Sequence, residues 1–227
     1  MALRYLAEPN RYEETVNKSR FITRLFPLAQ AADAKAVVEQ VRKSDYGARH
    51  HATALVVGPD ASQRRSSDDG EPAGTAGLPM LEALLRAQVT DILAVVTRYF
   101  GGVLLGKAGL ARAYGGGVQA ALAQASFLIK KPLVGSALAV RPADAGLANH
   151  LLRELAGRWA DGIVQVKYGE LADFEVWLPP GAVPSLGELL ASWPVRAEAR
   201  GLGQRLVARP AGPSGAPAAG ERGGLAG

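Results

Sequence analysis

Ile92-Leu93-Ala94-Val95-Val96-Thr97-Arg98-Tyr99-Phe100-Gly101-Gly102 opens with five consecutive apolar residues and closes on two glycines. An unbroken apolar run of that length predicts a strand buried on both faces, because a half-exposed strand would alternate apolar with polar. The glycines predict a tight exit from the strand. A second glycine-rich stretch continues to Gly109, and a helix is expected from about Leu110 to Leu128, interrupted by Gly115-Gly116-Gly117. Three glycines inside a helix cost roughly 1 kcal/mol each relative to alanine. That predicts either a break or close packing against another backbone.

Upstream, Ser19–Phe26 mixes aromatic and β-branched residues with polar ones and reads as a strand ended by Pro27. Ala34, Val37, Val38 and Val41 recur at helical spacing between Ala31 and Ser44. His51–Val57 is a further strand, closed by Gly58-Pro59. Residues 58–77 show no sustained period and are rich in Gly, Ser, Asp and Pro, which predicts a long loop of the kind more often functional than accidental. Leu78–Gln88 reads as a short helix that tolerates Pro79 in its first turn.

Lys130-Lys131-Pro132 marks the expected domain junction. Beyond it come a strand (Leu133–Val140), a helix (about Ala143–Trp159) and a strand (Ile163–Tyr168). A turn then leads to a strand (Asp173–Leu178), a helix (Val183–Trp193) and a last strand near Val195–Ala199. This β-α-β-β-α-β order is the ferredoxin-like pattern. The expected architecture is α+β in two domains, residues 1–131 and 132–205, with an Ala/Gly/Pro-rich tail at 206–227 expected to be disordered.

Composition removes several kinds of chemistry. The 227 residues contain no cysteine, so disulfides, a thiolate nucleophile and Cys-ligated zinc or iron–sulfur clusters are excluded. Met1–Leu6 holds no apolar stretch of signal-peptide length, and no run approaches the roughly 18 apolar residues of a membrane span. A cytoplasmic location without a membrane partner is expected. The net charge of +5 is uneven: residues 1–131 carry 17 basic against 12 acidic side chains, and residues 132–199 carry 5 against 8. A basic first segment favours an anionic partner.

Two stretches can carry chemistry. Ser66–Gly77 places Asp68, Asp69 and Glu71 within four residues. Such carboxylates can hold a hard cation or serve as general acid or base. Equally, Asp69-Gly70 can be a turn with solvated charges. The EF-hand ligand pattern is missing. The second stretch, Arg98–Arg112, nearly matches a P-loop, with Gly101, four residues and then Gly106-Lys107. Position 108 is alanine, however, so the hydroxyl that would bind magnesium is missing. Gly106-Lys107-Ala108-Gly109 also imitates the Gly-x-x-Gly loop of an RNA-binding KH module, but a strand precedes it where that module needs a helix. What remains is general physics: small residues and a helix N-terminus can accept an anion, with Arg98, Lys107 and Arg112 around it. The alternative is that the glycines serve tight packing with Tyr99 and Phe100 in the core. His50 and His51, adjacent on a strand, point to opposite faces and cannot share a site. No Gly-x-Ser-x-Gly nucleophile elbow is present.

Together the two stretches resemble the signature of the YigZ/IMPACT family. The first match is Arg65-Ser66-Ser67-Asp68-Asp69-Gly70-Glu71-Pro72 with Gly74-Thr75-Ala76-Gly77 and Pro79. The second is Val95-Val96-Thr97-Arg98-Tyr99-Phe100-Gly101-Gly102, then Leu105-Gly106, Gly109-Leu110 and Arg112-Ala113-Tyr114. The resemblance covers about residues 15–128. It implies a two-layer α/β first domain like the second domain of a ribosomal protein, with helices on one face of a mixed sheet. The second domain is similar to the last domain of elongation factor G.

In eukaryotes, proteins of this type act in translational control by binding an activator of a stress-responsive kinase, without catalysis. The implied role here is a non-enzymatic module for RNA, the ribosome or a translation-associated protein, with no cofactor, no metal and no DNA sequence specificity. A metal-dependent hydrolase or phosphate-processing enzyme built on Asp68, Asp69 and Glu71 is the alternative. The candidate binding residues are His50, Asp68, Asp69, Glu71, Thr75, Arg98, Tyr99, Gly101, Gly102, Lys107, Gly109 and Arg112. Relatives usually carry a Thr-His-Asn-Cys-type segment where this chain has Arg49-His50-His51-Ala52, which argues against a mechanism needing that cysteine. Lys107 also stands where a small residue is common.

Overall fold

A computed structural model describes residues 3–159, 161–194 and 197–211. Among them, those of Met1–Ile129 with those of Arg209–Gly227 make one compact unit, and those of Lys130–Ala208 make another. In chain order the first unit holds β1 (Arg4–Leu6), β2 (Asn10–Val16), β3 (Ser19–Pro27), α1 (Ala34–Ser44), β4 (His50–Val57) and β5 (Gln63–Ser67). It continues with α2 (Gly77–Arg86), β6 (Val89–Thr90), β7 (Ile92–Tyr99) and α3 (Gly106–Gln124). The strand β8 (Phe127–Val140) runs on into the second unit, followed by α4 (Ala145–Gly157), β9 (Ile163–Tyr168), β10 (Ala172–Leu178), α5 (Val183–Ala191) and β11 (Ala197–Pro210).

The main sheet of the first unit has the order β2-β3-β7-β4-β5, and every neighbouring pair is antiparallel. The apolar run sits at its centre as β7. Ile92, Ala94 and Val96 pack with Met80, Leu84, Tyr114 and Val118 of α2 and α3. Leu93 and Val95 face the other way, onto Ala34 and Val41 of α1. The sheet with α2 and α3 forms the expected two layers, while α1 covers part of the opposite face. The mixed sheet with helices on one face alone is therefore corrected. Burying β7 on both sides requires a helix on each.

Two further expectations change. Residues 58–77 are not all loop, since Gln63–Ser67 pairs with β4 as a fully exposed edge strand. Its Gln-Arg-Arg-Ser-Ser sequence has no apolar face and so no readable period. The second helix of the signature begins at Gly106 instead of about Leu110, which places Lys107 and Gly109 inside α3 together with Arg112. It also runs unbroken through Gly115–Gly117. A Cβ on Gly117 would stand 2.7 Å from Thr23 Oγ1, and one on Gly115 3.3 Å from the Pro79 carbonyl oxygen. The glycines let α3 approach β3 and α2, so close packing is the outcome.

The second unit follows the β-α-β-β-α-β order read from the sequence, with β8 between β10 and β11 and β9 beyond β10. Leu138, Val140, Leu152, Phe174, Val176 and Leu186 fill its core. The last strand is longer than expected. Residues 206–210, placed by sequence in the tail, form its end, where Arg205, Val207 and Arg209 supply alternate half-buried positions. Residues 212–227 of the expected tail lie outside the described residues. No helix among the described residues is long and apolar enough to cross a membrane.

Candidate functional site

The even-numbered residues of β7 face α2 and α3, so Arg98 continues the row of Ile92, Ala94 and Val96 but carries a charge. Its guanidinium is 6% exposed with its backbone counted, and it donates from Nη1 to Glu71 Oε1 at 2.8 Å. The same oxygen accepts the Tyr114 hydroxyl at 2.8 Å. Arg98 Nη2 reaches Ser19 Oγ at 3.3 Å, and that oxygen also accepts the Gly101 N–H at 3.2 Å. Phe21 and Phe100 flank the guanidinium with ring centres 5.5 and 5.4 Å away. Burial, followed by the hydrogen bond to Glu71, pushes the Tyr114 hydroxyl far above its ordinary range, so it stays a donor. The two signature stretches thus meet in space through Glu71. They meet as a buried, paired cluster and not as an open charged cleft.

Asp68 is occupied differently. Its carboxylate accepts the N–H groups of Gly74 at 2.8 Å, Ala76 at 3.0 Å and Gly77 at 2.8 Å. The last two stand at the start of α2, where helix N–H groups have no internal partner. Burial raises this carboxyl, but the three backbone donors outweigh it and hold the group below the usual carboxylate range. Asp69 sits at φ +48°, a left-handed position that aspartate tolerates better than most residues. It ion-pairs with Arg42 and accepts the His51 N–H at 2.6 Å. Burial opposes these contacts, yet they again leave the carboxyl depressed. His50 Nδ1 lies 2.8 Å from the Asp69 carbonyl oxygen, while His51 Nδ1 lies 3.1 Å from Thr97 Oγ1 on the opposite face. The opposite-face reading of the two histidines holds.

The remaining candidates divide. Thr75 is buried and donates its hydroxyl to the Pro72 carbonyl at 2.6 Å, tightening the turn. Tyr99 points to the α1 face and donates to Asp45 Oδ1 at 3.0 Å, beside the Arg24–Asp45 ion pair at 2.6 Å. Gly101 is obligatory, since a Cβ there would lie 1.9 Å from the Lys18 carbonyl oxygen. Gly102 needs its freedom for φ +84° instead. Gly109 admits Leu105 close by, since a Cβ added there would stand 3.0 Å from the Leu105 Cβ. Lys107 and Arg112 are exposed on α3 and make no ion pair among the described contacts.

Sequence reasoning passed over Ser19, Arg42 and Asp45 as site residues, and Thr97 stood in the quoted motif without a role. Tyr114 stood in the quoted motif, but its role did not. Ser19, Arg42 and Asp45 reach the site through strand pairing and helix packing, which leave no local mark. Among the described residues, no group of three or more His, Asp or Glu side chains converges as metal ligands. Asp68, Asp69 and Glu71 each hold a different partner.

These features define an α+β protein whose first unit is tied together by a buried arginine–glutamate–tyrosine cluster between its two signature stretches. Residues 17–122 match the Impact N-terminal domain. The chain is 43% identical over 189 residues to the IMPACT family member YigZ of Escherichia coli (strain K12), covering 82% of this chain and 91% of that one. An IMPACT family member of Haemophilus influenzae is 53% identical over 113 residues, which is 49% of this chain and 55% of that one. A crystal structure of a hypothetical protein, 40% identical, superposes with a TM-score of 0.57 and covers 87% of this chain and 97% of its own. The chain belongs to the IMPACT family.

Proposed function

We propose that this protein is a non-enzymatic cytoplasmic module linked to translation. It binds RNA, the ribosome or a translation-associated protein through the β7–α3 loop and the first turns of α3. The observation that carries this reading is a division of labour within the signature. Asp68, Asp69 and Glu71 are spent on a helix start, an Arg42 contact and a buried arginine. The segment after Arg98 instead turns outward, with Phe100 48% and Leu104 85% exposed, and Lys107 and Arg112 follow as exposed cations with no ion pair among the described residues. Grouped exposed apolar side chains rimmed by polar residues mark interaction surfaces or ligand grooves. The basic balance of the first segment and the family resemblance point the same way.

The test is co-sedimentation with ribosomes together with RNA crosslinking, each in low and moderate salt. Association that weakens as salt rises supports a phosphate-contacting mode, and salt-resistant association supports a protein contact. No association in either assay removes the reading.

A further inference from the structure

The edge strand β5 carries a second surface, separate from the β7–α3 loop. All five of its residues, Gln63–Ser67, are exposed, and among the described residues β4 is its sole strand neighbour. No backbone group of Gln63–Ser67 makes a described hydrogen bond outside that pairing. Gly77 packs against the Ser67 backbone at one end, and the outer edge over the other residues presents N–H and C=O groups without described partners, the feature that lets an extended chain add as a further strand.

The side chains select what can add. Arg65 stands opposite Leu55 and so faces the α1 side; Arg64 stands opposite Val56 and faces the other. Arg65 has no described partner. Arg64 donates its Nε to the Ala61 carbonyl at 2.7 Å, which leaves its terminal nitrogens for other acceptors, with Asp60 the carboxylate that senses it. The strand itself has no acidic residue. On the α1 side a concavity of about 460 Å³ adjoins the edge, lined by Ala29, Ala31, Ala32, Val57, Gln63 and Arg65. It gives an apolar side chain of an added strand a place to sit.

We propose that β5 is a docking edge for an extended acidic peptide segment of a partner protein. The partner adds as a sixth strand, sets carboxylates against Arg64 and Arg65 and places an apolar side chain against Ala29–Ala32. Charge argues against a second copy in the same place. Two β5 edges would oppose arginine to arginine, and like charges directly opposed across strands are destabilising. The other edge strand, β2, has its Glu13 already engaged by Arg11 and Arg20.

The experiment titrates the full chain with the synthetic peptide Thr-Thr-Glu-Glu-Val-Thr-Thr, about the length of an ordinary strand, whose adjacent glutamates face opposite sides and whose valine shares the face of the first glutamate. The same peptide with lysine for both glutamates, and the same peptide N-methylated at alternate positions, are the controls. Backbone amide shifts and calorimetry provide the readouts. The expected result is saturable binding of the acidic peptide alone, with shifts confined to Gln63–Ser67 and Ala29–Ala32. Arg65→Glu should weaken it by about tenfold, the scale of reversing a cross-strand charge pair. Arg65 is exposed, so that variant should keep the native amide spectrum. Binding of the N-methylated or basic peptide with equal affinity overturns the proposal, as do shifts confined to the β7–α3 loop or no binding at millimolar peptide. Self-association of the chain that Arg65→Glu abolishes also overturns it, in favour of a copy-to-copy contact.

Discussion

The Glu71 carboxylate lies 2.8 Å from Arg98 Nη1, and the two side chains are only 3% and 7% exposed. Neither charge is within easy reach of water, so each is the other's main compensation. Tyr114 and Ser19 satisfy further groups, and the aromatic rings of Phe21 and Phe100 close the sides. A charge pair in such a place is a weak source of net stability but a strict one, because losing one partner strands the other.

Removing Glu71 should therefore cost far more than removing both charges. Glu71→Ala is expected to destabilise the first unit by about 3–5 kcal/mol, whereas Glu71→Met with Arg98→Met should recover a large part of that loss. Urea unfolding of the three proteins checks this. Equal losses in the single and double variants would show that packing, not charge compensation, sets the cost.

Gly101 and Gly102 should behave differently on substitution by alanine. At Gly101 the added carbon meets the Lys18 carbonyl, so Gly101→Ala must displace the β2–β3 turn or the start of the β7–α3 loop. At Gly102 nothing stands within 4 Å, and the cost is that of a positive φ, about 1 kcal/mol. Thermal unfolding should show a small shift for Gly102→Ala and a much larger one for Gly101→Ala.

The pH response should rise in two windows. Burial, with Arg42 and Arg24 nearby, lowers the His51 imidazole despite the opposing pull of Asp69 and Asp45. The unfolded chain then binds a proton more readily, so stability is full above about pH 6.5 and falls as pH drops through the folded value. His51→Gln should flatten the slope between about pH 5 and 7. Asp68 and Asp69 are also depressed, so their contribution is full above about pH 3.9 and disappears as acid titrates the folded carboxylates. Asp68→Asn should shrink that acid limb. Urea midpoints against pH measure both.

Leu104→Ser and Lys107→Glu change exposed side chains without described partners. Stability should move by no more than about 0.5 kcal/mol. Ribosome or RNA association, if it runs through this loop, should fall in both. Unchanged association with both variants would move the contact surface elsewhere.

Much of this was legible along the chain because it is local. The run Ile92–Val96 announced a strand buried on two faces, and α1, α4 and α5 announced themselves by helical spacing. The pairing of Asp68–Gly77 with Arg98–Tyr114 was visible as two long matched stretches. Strands made of polar residues were not visible. In β2 and β5, Asn-Arg-Tyr-Glu-Glu-Thr-Val and Gln-Arg-Arg-Ser-Ser lie at sheet edges, where water supplies the environment and no apolar period is needed. The opening of α3 was misplaced for a related reason: Gly106 and Gly109 disfavour a helix intrinsically, and packing with Leu105 and Leu110 overrides them.

By itself the amino-acid order established the apolar elements, the two-unit α+β plan and the family, since periodicity and motif spacing are properties of neighbours in the chain. Only the folded chain settled what the charged residues of the motif do. A carboxylate's role depends on which donors surround it, and those of Glu71 arrive from β7 and α3, 27 and 43 residues away. With the separate partners of Asp68 and Asp69, that convergence turned three apparent acid or metal groups into fastenings, while Phe100 and Leu104 stayed exposed.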